Sequence, residues 1–385
     1  MRIGFFTNNY FPRQSGAAHA IENFRSELEK LGHDVFVFAP RYGKKDKTSV
    51  KLFRYKSFRL MKKLGPLSSI PFPHSSKIRK QIEGLKLDVI HSHHPYLLGK
   101  TALQYAGELG IPLIFSVHTP YYQFLTPLLG GMGELIDSFL LDIFLGYVKK
   151  CNLVTVPTQA FRDNLLKSAS KIKIEILPSG INLEEFGDTG KAKARKMLGL
   201  DSEDIILLTI GRLSYERNIS FLIEAFKDIS EKYPRAKLVI VGSGLEKMSL
   251  KGLTKILGLK EKVIFTGRVP YKKLALYYSA SDLFLYASLI DSQGLVLCEA
   301  MASGLPIVST NQAMGPQSLV KNDQIGFLTP PNIKFFSKKV QTLIKNEKLR
   351  RRFGINAKKE AQHYDRRILA KKLEQIYQDL IQNND

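Results

Sequence analysis

Short apolar runs alternate with amphipathic stretches along most of the chain. The first half carries "RIGFFT", "DVFVFAP", "LDVIHSH", "IPLIFSVHT" and "NLVTVPT", and closes with "KIEILPSG". Helical spacing fills 17–31 and 97–109 between them. The segment "INLEEFGDTGKAKARKMLGLDSED" is polar and reads as a linker. A second series follows with "IILLTIGRL", "KLVIVGSG", "KVIFTG", "DLFLYAS" and "LPIVST", and the stretch 335–385 is helical and rich in Lys and Arg. Apolar runs separated by helices predict parallel sheets covered on both faces, so the chain is expected to be α/β with two Rossmann-like domains.

Composition narrows this little. The 385 residues are 44% hydrophobic and 24% charged, as in ordinary globular proteins. Cys151 and Cys298 are too far apart in sequence to form a metal motif, which favours a reduced, cytoplasmic protein. The start "MRIGFFTNNYF" lacks the pattern of a signal peptide, and no apolar run reaches the ~18 residues of a membrane span. Charge changes the picture more. A net +23 attracts nucleic acid, anionic lipid headgroups or phosphorylated substrates, although a generic basic surface has the same composition.

In open parallel sheets ligands bind beyond the carboxyl ends of the strands, so the segments after each strand are the candidates for chemistry. Gly16 precedes a helix whose first N–H groups can face a phosphate, or simply forms a turn. The G-x-G-x-x-G of nicotinamide and flavin enzymes is missing there. "HSHHP" places His91 and His93 on one strand face beside His94. A metal reading is open, but without a neighbouring carboxylate the packed strand-end reading is favoured. His118 ends the next strand, as a pocket residue or a structural histidine. Arg212 and Arg217 in "IGRLSYERN" can grip a diphosphate or stand as solvated surface arginines. In "DSQGLVLCEAMASGLP", Asp291 lies in a loop and Glu299 roughly two turns into the helix that Gly304 ends. Leu297, Cys298, Ala300 and Met301 around Glu299 are apolar, so the acid is expected to be enclosed and to need a partner.

Taken in order, "GAAHAIENFRSELEKLGHDVFVFAP", "DVIHSHHP", "IPLIFSVHT", "LPSGINLEEF", "GRLSYERN" and "DSQGLVLCEAMASGLPIVST" resemble the retaining glycosyltransferases of family 4 over nearly the whole chain. The resemblance implies a GT-B fold, two Rossmann-like domains whose parallel sheets face a central cleft. It implies an N-terminal domain over 1–180 and a nucleotide-sugar domain over 181–364, with a helix at about 365–385 as a candidate to pack back on the first. It carries the family's E-x7-E element onto Asp291 and Glu299, the first at the donor sugar and the second at the ribose. It gives Arg212 and Arg217 the diphosphate, Gly16 the donor and His118 the reacting sugar. Ser292, Gln293, Gly294 and Leu295 join the donor site, and Arg268 and Val269 are placed by topology near the base. Asp291 stands where Glu is usual, and Arg217 where Lys is usual. No D-x-D sequence calls for a metal, and no cofactor is expected beyond the nucleotide-sugar donor, read as UDP-glucose.

The acceptor side rests on two features. Residues 41–80 hold 13 Lys/Arg against one acid, with aromatics interleaved, the composition of an interfacial membrane patch. Lys51, Arg54, Lys56, Arg59, Lys62 and Lys63 are its candidate membrane residues. "ELIDSFLLDIFLGYVKK" carries a wide apolar stripe that suits either a core helix or a membrane-facing one. No nucleic-acid motif accompanies the charge, so nucleic acid is not the expected partner. "HHPYLLGKTAL" and "DSQGLVL" look most like bacterial diacylglycerol glycosyltransferases. The expectation is a hexosyltransferase on the inner face of the cell membrane, moving glucose to diacylglycerol or a glycolipid. Phosphatidylinositol, lipopolysaccharide, polysaccharide or protein acceptors stay open, as does a catalytically silent GT-B protein.

Overall fold

The computed structural model describes residues 1–13, 15–43, 46, 50–59, 69–72, 76–120, 131–187 and 190–383. The chain divides into two compact units, Met1–Gly180 with Arg366–Asp385, and Ile181–Asp365.

The first unit runs β1 (Arg2–Phe6), α1 (Gly16–Lys30), β2 (Asp34–Pro40), β3 (Leu52–Tyr55), β4 (Ser57–Arg59), β5 (Ser69–Pro71), α2 (Ser76–Leu85) and β6 (Val89–Ser92). It continues with α3 (Leu98–Leu109), β7 (Leu113–Ser116), α4 (Gly131–Val148), β8 (Leu153–Val156), α5 (Gln159–Ser168) and β9 (Ile174–Ile176). Seven strands form one parallel sheet in the order β3-β2-β1-β6-β7-β8-β9. Strands covered on both faces need apolar residues at every position, which is why Phe5 and Phe6 are both fully buried. The Ser15 hydroxyl caps α1 by accepting from the Ala18 N–H at 3.1 Å.

In the second unit α6 (Lys191–Leu198) precedes β10 (Ile205–Ile210), α7 (Ile219–Lys232), β11 (Ala236–Val241), α8 (Lys247–Ile256) and β12 (Val263–Gly267). Then come α9 (Leu274–Ala280), β13 (Leu283–Tyr286), α10 (Leu295–Ala302), β14 (Ile307–Thr310), α11 (Met314–Leu319), β15 (Gly326–Thr329), α12 (Ile333–Lys345) and α13 (Glu347–Ala361). Its six strands are parallel in the order β12-β11-β10-β13-β14-β15. Alternation along β10 sends Leu207 to one core and Ile206 and Leu208 to the other. The last helix, α14 (Arg366–Gln382), belongs to the first unit, where Leu369, Leu373 and Tyr377 join the core beside Ile21 and Leu28 of α1.

One expectation changes. The described residues of the polar segment taken as a linker belong to the second unit. Phe186 is buried, and α6 carries a buried Arg195 whose guanidinium meets Asp282 at 2.8 Å. The basic stretch 41–80 contains β3, β4 and β5, the last two an antiparallel pair apart from the main sheet. The apolar stripe of α4 serves two purposes. Phe144, Tyr147 and Val148 are buried, whereas Leu135, Ile136 and Phe139 are exposed. Among the described residues no helix is long and apolar enough to cross a membrane.

Candidate functional site

In the second unit the chain leaves β10 for β11 on one side and reaches β13 on the other. The crevice opened by such a reversal is where open α/β sheets bind ligands. The two loops bordering it are stitched together, with the Leu289 N–H and the Ser288 hydroxyl donating to the Glu216 carbonyl at 2.8 and 2.9 Å. Asp291 and Arg217 meet here. Arg217 Nη1 and the Tyr286 hydroxyl both donate to Asp291 Oδ2, and the Gln293 N–H donates to Oδ1 at 3.3 Å. Arg217 Nη1 also reaches the Tyr286 oxygen at 2.6 Å, while its buried Nε has no hydrogen-bond partner among the described residues. Burial pushes the Asp291 carboxyl up, but the Arg217 charge and the hydrogen bonds from Tyr286 and Arg217 outweigh it, so the group stays below the ordinary carboxylate value. Arg217 is raised in turn, because Tyr286 and Asp291 overcome its own desolvation.

Gly294 turns the chain into α10 at φ +80°, which L side chains rarely adopt. Ser292, Gln293 and Gly294 are buried, and Leu295, the first residue of α10, is half-buried. Glu299 lies in the second turn, only 2% exposed, and Oε2 accepts from the Tyr278 hydroxyl of α9 at 2.7 Å. Desolvation lifts this carboxyl to about 7 against the hydrogen bonds of Tyr278 and Tyr271. Its ionised form therefore gains from any further donor brought to it.

The other expected residues of this unit stay outside that cluster. Arg212 is exposed and lies 3.4 Å from Glu216. Arg268, beyond β12, is exposed, and Val269 packs against the core. The glycines of "VGSG" serve packing of the chain on itself: a Cβ at Gly244 would fall 2.0 Å from the Leu213 carbonyl oxygen.

In the first unit Gly16 is the first residue of α1, and His118 follows β7 half-buried. His118 Nε2 faces His93 Nδ1 at 3.0 Å. His91 uses both nitrogens, toward the Tyr377 hydroxyl at 2.6 Å and the Ser116 hydroxyl at 2.7 Å. His94 Nδ1 accepts from the Asn8 N–H at 3.1 Å. Burial depresses all four imidazoles, His91 and His94 to about 3, His118 to about 4, and His93 well below its ordinary value. These hydrogen bonds tie His91 and His94 into the strand end, and among the described residues no group of three His, Cys, Asp or Glu is placed to hold a metal ion.

The basic residues assigned to a membrane patch divide. Arg54 is spent internally, donating to the Pro40 and Phe11 carbonyls and lying against the Tyr10 and Tyr42 rings, because its strand β3 is paired into the sheet. Lys51 is tied to Asp34 at 2.9 Å, and Lys56 is exposed. The backbone of Arg59 is in β4; Lys62 and Lys63 lie outside the described residues. Sequence reasoning missed Tyr278 and Tyr286. The signal for Tyr286 was present, a tyrosine at the carboxyl end of the "DLFLY" strand.

The second unit thus places a cation–carboxylate cluster and a second buried acid at the switch point of its parallel sheet. The family model "Glycosyltransferase Family 4" matches residues 14–185, and "Glycosyl transferases group 1" matches 190–360. An alpha-monoglucosyldiacylglycerol synthase of Streptococcus pneumoniae is 32% identical over 80% of this chain and 71% of its own length. An alpha-monoglucosyldiacylglycerol synthase of Acholeplasma laidlawii is 29% identical over 100% of this chain and 98% of its own. The solved structure of Anabaena HepE in complex with UDP-glucose has a TM-score of 0.77 at 18% identity, over 99% of this chain and 100% of that one. The chain belongs to the retaining, GT-B-fold glycosyltransferases of family 4 and is a hexosyltransferase.

Proposed function

We propose that this enzyme transfers glucose from UDP-glucose to a membrane lipid, diacylglycerol or a glycolipid built on it, with retention at the anomeric carbon. The reading rests on the relatives named as monoglucosyldiacylglycerol synthases, one of them matched over the whole of this chain. The UDP-glucose bound by HepE is consistent with the donor.

The site residues suit that chemistry. Departure of a nucleoside diphosphate builds negative charge, which fixed cations and N–H dipoles stabilise. Arg217 and the exposed Arg212 are the proposed diphosphate partners, which makes a metal ion unnecessary. Glu299 is the proposed ribose partner, since a carboxylate accepts two hydroxyl hydrogen bonds. Asp291, with Ser292, Gln293, Gly294 and Leu295, is assigned to the sugar end. Gly16 and His118 are assigned donor contacts from the first unit, and Arg268 and Val269 a place near the base. The exposed apolar end of α4 and the basic stretch around Lys56 suit peripheral attachment to anionic lipid on the inner face of the cell membrane.

Labelled UDP-glucose supplied with vesicles containing diacylglycerol, and separately with monoglucosyldiacylglycerol, tests this. A labelled glycolipid that forms equally well in chelator is the expected product. No transfer to lipid from any common nucleotide sugar overturns the reading, and transfer to a soluble acceptor alone redirects it.

A further inference from the structure

His91, His93 and His118 form a column of imidazoles in the first unit. The rings of His91 and His93 stack with centroids 4.3 Å apart, and those of His93 and His118 with centroids 5.2 Å apart, each pair tilted by 29°. Phe5 presses edge-on against His91 and His93 at 4.9–5.4 Å, so the column cannot slip sideways. The lower ring is fixed at both nitrogens, by Tyr377 and by Ser116, which in turn meets the Thr155 hydroxyl at 2.5 Å. The middle ring is fully buried. Its Nδ1 faces His118 Nε2 at 3.0 Å, and its Nε2 has no hydrogen-bond partner among the described residues.

That orphan nitrogen decides where the protons sit. Two neutral imidazoles that face each other share one proton between the facing nitrogens. If His118 Nε2 carried it, His93 would bear its own proton on Nε2, a buried N–H with nothing to bond. If His93 Nδ1 carries it, the orphan is a bare lone pair. Buried N–H groups without partners are the rarer and costlier case. We infer that His93 is a positioning residue that donates from Nδ1 to His118 Nε2 and so fixes His118 as the Nδ1–H tautomer.

The consequence deepens the proposed role of His118 and rests on that reading. With its Nε2 lone pair engaged by His93, His118 carries its proton on Nδ1 and has no basic nitrogen at Nε2. Its contribution at a sugar is then to bind and orient, with no proton abstracted.

Long-range proton–nitrogen NMR of the full-length protein labelled with nitrogen-15 in histidine, at pH 7.5, reads the tautomer directly. The expected spectrum shows the His118 proton on Nδ1 and the His93 proton on Nδ1. A wild-type His118 with its proton on Nε2 overturns the inference, whether or not any variant folds. H93F keeps an aromatic ring and removes the donor. It is expected to shift His118 toward the Nε2–H tautomer and to lower kcat roughly ten-fold or more, with a smaller change in donor KM. H93N, which keeps an N–H donor, is expected to restore both readouts. An unchanged His118 tautomer in folded H93F overturns the inference. Failure of the role assigned to His118 itself looks different: H118A would then retain full activity while the wild-type tautomer is as described.

Discussion

Glu299 is where a single residue ties protonation to binding. Burial in α10 holds its carboxyl at about 7, so the ionised fraction changes across neutral pH. If it accepts ribose hydroxyls, only the ionised form does so fully. UDP should bind more tightly as pH rises from about 6 to about 8, measured by titration calorimetry. Glu299→Gln should bind more weakly and lose that slope; a slope unchanged in the variant argues against the role. Asp291 poses the opposite case, since Arg217 keeps it charged. Arg217→Ala leaves a buried carboxylate without its cation, expected to cost about 3 kcal/mol in unfolding free energy at pH 7. The loss should shrink as pH falls and Asp291 protonates, which urea titrations at two pH values check.

At the scale of elements, the turn into α10 and the helix α6 make separate claims. Gly294 adopts φ +80°, so Gly294→Ala should destabilise the second unit by about 1 kcal/mol and weaken donor binding together, seen by thermal melts with and without UDP. The pairing of buried Arg195 with Asp282 explains why the polar stretch before β10 is not a linker. The few buried positions of α6, Ala194 and Arg195, give no apolar periodicity to read. Strands β1, β2 and β10 were legible because doubly covered parallel strands are continuous apolar runs. β3 was hidden because it forms the edge of the sheet, where lysine and arginine are common, and β15, "GFLT", offers only Phe327 and Leu328 as an apolar run. The acids of the site were legible through the family resemblance. Their partners were not, since Arg217 and Asp291 lie 74 residues apart and meet only through the pairing of β10 with β13.

For the molecule as a whole, the buried histidines and the surface charge set the response to solution conditions. His91, His93, His94 and His118 are uncharged when folded and free to protonate near 6.5 when unfolded. Below that pH the unfolded chain binds more protons. Stability should therefore fall from about pH 6.5 toward about 4, by up to about 1.4 kcal/mol per pH unit for each histidine. Glu299 works the other way between about 4.5 and 7, one group against four. Urea midpoints at pH 7.5 and 5 check the sign; equal midpoints contradict it. The net charge of +23 predicts that vesicle binding, measured by flotation, weakens steeply with salt. The return of α14 to the first unit has a further consequence for how the protein is made. A ribosome delivers the whole of Ile181–Asp365 before it delivers Tyr377, the residue that bonds His91. The first unit is thus completed only after the second has been made, and its imidazole column waits until then for its lowest support.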